Sequence, residues 1–146
     1  MTTADFEELL KVLDVTQVDD DTFTDDPARA MEIAKGLGRL GVTWSCNAKA
    51  NVAYETLKVL KDNGLRLFVV GYETGNQQIL HNIKKGLLVD VARRFSRDCR
   101  ELGIVVHGTF ILGLPGETRE TIISLGKQLS RRWYVGYEQS LQATTG

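Results

Sequence analysis

Short apolar runs alternate along the chain with longer stretches in which apolar residues recur every three or four positions. A short apolar or β-branched run bounded by glycine or polar residues predicts a buried strand, whereas the longer spacing predicts an amphipathic helix. The predicted strands are 15–18, 42–46, 65–70 and 104–112. The predicted helices are 4–13, 27–40, 53–63, 76–81, 89–102 and a last helix that begins at 118 and runs past 131.

The order of these elements predicts the fold class. One helix is followed by four strand–helix units, and strands that alternate with helices form parallel sheets with right-handed crossovers. We therefore expect an α/β fold with about four parallel strands in residues 15–132, after an N-terminal helix in residues 1–14. Residues 133–146 are polar without a clear period, which is typical of a frayed or disordered tail. Unpaired strands at the two edges of such a sheet would favour self-association.

The last predicted strand runs into a glycine-rich loop within residues 107–118. Gly113 and Gly116 permit positive φ or a close backbone approach, and Pro115 between them stiffens the turn. Ligands of open α/β folds gather at the carboxyl ends of the strands, so this loop is a candidate binding loop. An ordinary connection between a strand and a helix explains it equally well.

Composition narrows the class of protein. The 146 residues are 42% hydrophobic and 25% charged with a net charge of -1, so no global charge attracts nucleic acid or anionic membranes. No apolar segment is long enough to span a bilayer, and the acidic N-terminus lacks the basic start of a secretory signal. The two cysteines, Cys46 and Cys99, lie far apart, which fits a reducing, cytoplasmic location better than a disulfide scaffold.

The loop after the first strand carries the acidic run 19–21, whose residues Asp20 and Asp21 are candidate ligand contacts. Clustered carboxylates suit Mg²⁺ or Ca²⁺, but a solvated turn that also caps the next helix is the better interpretation, so we predict no metal site here. His107 lies inside the last strand, where a histidine is more often a satisfied core or lining residue than a catalytic one.

The remaining loops carry charged and hydroxyl side chains. Lys49 follows the second strand, and Glu73 and Thr74 follow the third, where a carboxylate and a hydroxyl could hold a ribose diol or an amino group. Lys85 could neutralise a carboxylate or a phosphate, although lysine at a helix end also interacts favourably with the helix dipole. No P-loop and no dinucleotide-binding Gly-x-Gly-x-x-Gly follows a strand.

Taken in order, five loops resemble those of the core barrel of radical S-adenosylmethionine (SAM) enzymes, namely 18–23, 47–51, 71–75, 83–86 and 113–118. The resemblance is to the branch that carries an N-terminal cobalamin-binding domain, and within it to the proteins associated with hopanoid biosynthesis. It implies a partial (β/α) barrel whose strand ends bind SAM beside a [4Fe-4S] cluster, with cobalamin a further cofactor of the full-length parent.

The resemblance also implies roles for individual residues. The implied SAM or substrate contacts are Asp20, Asp21, Lys49, Glu73, Thr74, Lys85, Ile111 and Gly113. Of these, Glu73 and Thr74 would contact the ribose and amino-acid parts of SAM, Lys85 its carboxylate, and Ile111 and Gly113 its adenine. The implied activity is 5′-deoxyadenosyl radical chemistry on a small molecule or on a sugar-like headgroup of a polycyclic hopanoid lipid.

One departure from the family qualifies this assignment: the Cys-x-x-x-Cys-x-x-Cys cluster motif is absent, and Cys46 and Cys99 cannot supply it. We therefore expect a fragment that is inactive alone, with a parent enzyme that holds the cluster. A catalytically inactive remnant or SAM-binding module is the second hypothesis. The third is an unrelated α/β-barrel piece that binds a phosphorylated metabolite.

Overall fold

A computed structural model describes residues 16–18, 23–130 and 139–143. The elements in chain order are β1 Thr16–Val18, α1 Pro27–Leu40, β2 Trp44–Ala48, α2 Tyr54–Asp62, β3 Leu65–Glu73, α3 Gln77–Asn82, α4 Val89–Leu102, β4 Val105–Leu112, α5 Arg119–Ser130 and β5 Gln139–Ala143. The predicted N-terminal helix, Asp20 and Asp21 lie outside the described residues.

The five strands form one sheet in the order β1-β2-β3-β4-β5, and every neighbouring pair is parallel. Each of the first three pairs is joined through at least one helix, which is the connectivity of a (β/α) barrel. Within the described ranges β1 and β5 are the edges of the sheet, so the barrel is open. The predicted α/β fold with parallel strands is confirmed.

The polar tail contains an element that the sequence pattern does not predict. Residues 139–143 form β5, which pairs in parallel with β4 from Gly108↔Gln139 to Leu112↔Ala143. The expectation of a frayed or disordered tail is therefore wrong for these five residues. Their placement depends on backbone pairing with β4, which a pattern of polar and apolar side chains does not reveal.

Local signals in the sequence account for the ends of α1. The Asp26 side chain accepts a hydrogen bond from the backbone N–H of Arg29 (3.1 Å), and Pro27 occupies the first helical position. The helix ends at Gly41, whose φ of +68° is a conformation that glycine adopts without steric cost. This boundary agrees with the prediction.

The sheet has one face covered by helices and one that is only half-buried. Residues of β2 and β3 alternate between the two, and the covered side holds Trp44, Phe68 and Tyr72, each fully buried. Phe68 packs against Phe95 of α4, with ring centroids 5.8 Å apart. We call the other side the open face. Its half-buried members include Ser45, Asn47, Leu67, Val69, Gly71, Val105, His107, Thr109 and Ile111.

Candidate functional site

The carboxyl end of β3 turns sharply at Glu73. The backbone N–H of Thr74 donates to the carbonyl of Tyr72 (2.8 Å), and Glu73 between them has a φ of +65°. The pairing of β3 with β4 also shifts register between Gly71 and Glu73. This conformation costs a non-glycine residue on the order of 1–3 kcal/mol, so it persists only where the surrounding structure holds it. Residues of this kind cluster at functional sites.

Lys85 reaches this turn from the end of α3. The N–H of Lys85 donates to the carbonyl of Leu80 (3.0 Å) and the N–H of Lys84 to that of His81 (3.0 Å), with Lys84 at a φ of +53°. These two bonds form a Schellman motif that closes the helix. The Lys85 Nζ then lies 2.9 Å from Glu73 Oε1, with side chains 31% and 18% exposed respectively.

Gly71 provides the space for this ion pair. A Cβ placed on Gly71 would lie 2.8 Å from Glu73 Oε1 and 3.6 Å from Lys85 Nζ. Both charged groups therefore lie over the backbone of Gly71 on the open face. The sequence analysis did not single out Gly71 by itself; a glycine near the end of a strand is the signal that could have found it.

A cavity of about 150 Å³ adjoins Lys85 between the ends of β2 and β3. Its lining residues are Ala48, Lys49, Ala50, Asn51, Gly71, Lys85, Gly86 and Leu87. Pockets that enclose a whole drug-sized ligand measure roughly 300–1,000 Å³, so this cavity suits one end of a larger molecule.

Lys49 directly follows β2 and lines this cavity. Its Nζ lies 2.8 Å from Asp25 Oδ2, and the two side chains are 56% and 40% exposed. The structure thus brings Lys49 near Lys85 through the shared cavity but gives it a different carboxylate partner from Lys85.

Thr74 is buried, and its hydroxyl accepts a hydrogen bond from the N–H of Asn76 (3.2 Å). Asn76 in turn caps α3, where its side chain accepts from the N–H of Ile79 (3.1 Å). The contact that the structure shows for the Thr74 hydroxyl therefore shapes the turn into α3. Its role in ligand binding stays a prediction.

Ile111 and Gly113 lie at the end of β4, the strand next to Glu73. The N–H of Gly113 donates to the carboxylate of Glu117, so the glycine-rich loop folds back on itself. The side-chain amide of Asn82, the last residue of α3, donates to the carbonyl of Pro115 (3.0 Å). This bond ties the glycine-rich loop to the helix whose end carries Lys85.

The sequence analysis also did not predict the packing of Tyr72 behind the turn at Glu73. The hydroxyls of Tyr72 and Ser96 lie 2.7 Å apart in the interior, and the Tyr72 ring stacks on Phe110 with centroids 5.5 Å apart. Burial raises the pKa of Tyr72 well above its ordinary value, an effect that the Ser96 hydrogen bond partly opposes. Tyr72 directly precedes Glu73, so these contacts fix the start of the turn in the interior.

The residues present do not fit an iron–sulfur cluster. The chain has two cysteines, both fully buried: Cys46 in β2 and Cys99 in α4. Burial raises the pKa of the Cys99 thiol well above its ordinary value, whereas cluster ligands are thiolates. In the part of the chain that the structure describes, no group of three or more His, Cys, Asp or Glu side chains could hold a metal ion.

Two curated relatives have similar sequences. Uncharacterized methyltransferase PH0819 of Pyrococcus horikoshii is 29% identical over 128 residues, which cover 86% of this chain and 28% of that protein. Cytidylyl-2-hydroxyethylphosphonate methyltransferase of Streptomyces wedmorensis is 29% identical over 107 residues, covering 70% of this chain and 20% of that protein. The chain therefore spans less than a third of the length of either relative.

The fold matches a solved structure of the radical SAM methyltransferase TsrM from Kitasatospora setae, determined with cobalamin and a [4Fe-4S] cluster bound. The TM-score is 0.82 at 20% identity, and the match covers 96% of this chain and 29% of TsrM. This likeness confirms the partial barrel.

The radical SAM superfamily model matches residues 3–129, which is most of the chain. Enzymes of this superfamily use SAM and a [4Fe-4S] cluster. Among the described residues no helix is long and apolar enough to cross a membrane. From the extent of the family match, the chain belongs to the radical SAM superfamily.

Proposed function

We propose that this chain forms the SAM-binding portion of a cobalamin-dependent radical SAM methyltransferase, and that Glu73 and Lys85 bind the amino-acid end of SAM. The single observation that carries the proposal is their ion pair, 2.9 Å long and partly shielded from solvent at the carboxyl end of β3. Family membership supports SAM as the ligand, and the named methyltransferases among the relatives support the reaction class.

The chemistry of the pair matches the ligand. The amino-acid end of SAM carries an ammonium and a carboxylate on one carbon, so it offers each member of the pair an opposite charge. In the ligand-free chain Glu73 and Lys85 satisfy one another. On binding, the ammonium contacts Glu73 and the carboxylate contacts Lys85, and the fixed backbone turn at Glu73 limits the reorganisation that binding requires.

The other predicted contacts complete the proposed site around this pair. Lys49 lies on the wall of the adjoining cavity and adds positive charge beside the carboxylate. Thr74 follows Glu73 in the turn, and Ile111 and Gly113 lie at the end of the next strand, where the adenine is proposed to bind. Asp20 and Asp21 are proposed to contact the ligand after β1, outside the described residues.

In a loaded enzyme the cluster and SAM would supply the radical chemistry, and cobalamin would carry the methyl group. The residues of this chain bind SAM, orient its ends and exclude water from it. Cys46 and Cys99 do not fit the cluster, so none of the described residues is assigned to holding it.

The substrate predicted from the sequence resemblance is the headgroup of a hopanoid lipid, and we keep it as a finer proposal within the family. The named relatives point instead to methyl transfer, one of them to a nucleotide-linked phosphonate. A second candidate function is a SAM-binding module without turnover. The burial of both cysteines favours it for this chain taken alone.

Calorimetry with SAM tests the proposal. Hydrogen bonds to charged groups are worth about 1.5–3 kcal/mol, so Glu73→Gln and Lys85→Met should each weaken SAM binding by roughly tenfold or more. Lys58→Met is the matched control, because Lys58 forms an exposed pair with Asp62 (3.3 Å) on α2; it should bind like wild type. Equal affinity of wild type and Glu73→Gln would refute the assignment, and so would no binding by the folded wild-type chain.

A further inference from the structure

The side-chain amide of Gln77 holds the backbone of the next helix and of the loop before it. Gln77 is the first residue of α3 and is half-buried. Its Oε1 accepts a hydrogen bond from the N–H of Val89 (2.8 Å), and its Nε2 donates to the carbonyl of Leu87 (3.1 Å). One amide therefore fixes the chain on both sides of Leu88. We call residues 83–88, which join α3 to α4, the α3–α4 loop.

The partners of this amide determine its orientation. The N–H of Val89 needs an acceptor and the carbonyl of Leu87 needs a donor, so the amide oxygen and nitrogen cannot exchange places without losing both bonds. The Gln77 Nε2 also lies 3.2 Å from Nε2 of His81, one turn further along α3. Because an amide nitrogen only donates, the imidazole nitrogen accepts this bond. Both N–H groups and the oxygen of Gln77 thus have partners.

The start of α4 shows one role for Gln77. The first N–H groups of a helix have no partner within the helix, and the side chain of the preceding residue commonly accepts from one of them. Leu88 precedes α4 and forms no side-chain cap. The N–H of Val89, the first residue of α4, donates instead to Gln77 of α3. This role is structural, because Gln77 acts as a cap supplied by another helix.

A second role follows from what the α3–α4 loop carries. Lys85, Gly86 and Leu87 line the cavity, and the Lys85 Nζ lies 2.9 Å from Glu73 Oε1. The N–H of Lys85 donates to the last turn of α3, which fixes the loop before Gly86. Gly86 has a φ of +68°, and a Cβ there would meet nothing within 4 Å, so packing at Gly86 does not hold the chain. The bond from Gln77 to Leu87 holds the loop on the far side of Gly86.

We propose that Gln77 is a positioning residue for SAM: by fixing the α3–α4 loop beyond Gly86, it keeps the Lys85 ammonium where the carboxylate of SAM binds. The proposal rests on the proposed function for the identity of the ligand. A lysine side chain has many rotamers, so the place of its ammonium depends on how firmly the backbone beneath it is held. If Gln77 acts through Lys85, its loss weakens only ligands that carry a carboxylate. A purely structural cap would affect every ligand of the cavity alike.

Two ligands that differ by one group test this assignment. Calorimetry on the full chain would compare SAM with decarboxylated SAM, which keeps the ammonium, the sulfonium and the adenosine but lacks the carboxylate. Gln77→Met keeps the side-chain length and removes the hydrogen bonds. It should weaken SAM binding by about fivefold or more and change binding of decarboxylated SAM by at most about twofold. Gln78→Met is the matched control, because Gln78 is exposed and its amide donates to Asn82 of the same helix (3.1 Å); it should bind both ligands like wild type.

A double change gives a readout that a structural cap would not move. In the Lys85→Met background, Gln77→Met should change SAM affinity by at most about twofold, because the group that Gln77 positions is gone. An equal loss of affinity for SAM and for decarboxylated SAM, or an equal loss with and without Lys85, would overturn the proposal. An unchanged SAM affinity in Gln77→Met would overturn it as well.

A measurement without any ligand separates this proposal from the proposed function. Acetic anhydride modifies accessible lysines, and mass spectrometry gives the extent of modification at each one. The Lys85 side chain is paired and 31% exposed, whereas Lys58, the internal reference, is 54% exposed. Modification of Lys85 relative to Lys58 should rise by about threefold or more in Gln77→Met, where the loop opens locally, and stay unchanged in Gln78→Met. No rise would overturn the positioning role. If Lys85 responds but the folded wild-type chain binds no SAM, the proposed function fails and the hold of Gln77 on Lys85 stands.

Discussion

Lys85 and Glu73 meet at 2.9 Å, and each is placed by a backbone turn in the left-handed region. Glu73 itself has a φ of +65°, and Lys84, directly before Lys85, has a φ of +53°. These are the two non-glycine residues with positive φ among the residues described. Two costly conformations on either side of one ion pair indicate that the fold gives up stability to place these two charges.

Glycine at Lys84 or at Glu73, the two residues with positive φ, should change the free energy of unfolding and the affinity for SAM by different amounts. Lys84→Gly keeps the turn and removes its steric cost, so the free energy of unfolding should rise by about 0.5–1 kcal/mol with SAM affinity unchanged within twofold. Glu73→Gly gains similarly but loses the ion pair, so its stability should stay close to wild type while SAM binding weakens roughly tenfold or more. Urea unfolding and calorimetry measure both. A loss of stability in Lys84→Gly would contradict the interpretation.

Gly71→Ala should weaken SAM binding without unfolding the chain. The new Cβ would lie 2.8 Å from Glu73 Oε1, so the carboxylate must move while the backbone stays in place. We expect SAM affinity to fall by about three- to tenfold, which is a cost of order 1 kcal/mol. Gly36→Ala is the control, because its Cβ would meet only Arg39 Nη2 at 3.7 Å. Since Gly36 lies within α1, that change should stabilise by about 0.5–1 kcal/mol and leave binding unchanged.

Tyr72 should make the fold sensitive to alkali. Burial raises its pKa above the ordinary value near 10, so the folded state holds the proton more tightly than the unfolded state. The contribution of protonated Tyr72 to the free energy of unfolding is fully present below about pH 10. It falls as pH rises further, by at most about 1.4 kcal/mol per pH unit. Tyr72→Phe should unfold with a shallower pH dependence above pH 10, measured by urea titration.

Tyr72→Phe should also lower the free energy of unfolding near neutral pH, for a different reason. The Tyr72 hydroxyl and the Ser96 hydroxyl form a buried bond of 2.7 Å, and its loss should lower stability by about 0.5–1.5 kcal/mol at pH 8. Tyr54→Phe is the control, because the Tyr54 hydroxyl bonds Glu101 at an exposed position (3.2 Å). The buried thiol of Cys99 adds to the alkaline effect in the same direction. Equal pH dependence in wild type and Tyr72→Phe would show that Tyr72 is not the group responsible.

The open sheet should make the isolated chain self-associate. β1 and β5 form the sheet edges among the described elements, and exposed strand edges pair with other chains. Light scattering should show species larger than a monomer that grow with concentration. Gln17→Lys places a charge on β1 and should reduce the association, whereas Gln78→Lys makes the same change at an exposed position of α3 and should not. A wild-type chain that stays monomeric at high concentration would contradict this expectation.

Both thiols should be unreactive in the folded chain. Cys46 and Cys99 are fully buried, so a disulfide reagent should modify them only after unfolding in urea. Anaerobic treatment with iron and sulfide should accordingly give no [4Fe-4S] absorbance. A stable cluster in the folded chain, lost in Cys46→Ser, would show that the cysteines do serve as ligands.

The sequence by itself determined the α/β class, the order of the elements and the family, because alternation of buried strands with amphipathic helices and the residues of the loops are local properties of the chain. It also singled out Glu73 and Lys85. Only the tertiary structure decided that these two residues form an ion pair over Gly71, that Tyr72 anchors the turn on Ser96, and that β5 joins the sheet. Those contacts join different elements of the chain, and strand register and helix docking, which no local pattern encodes, bring them together.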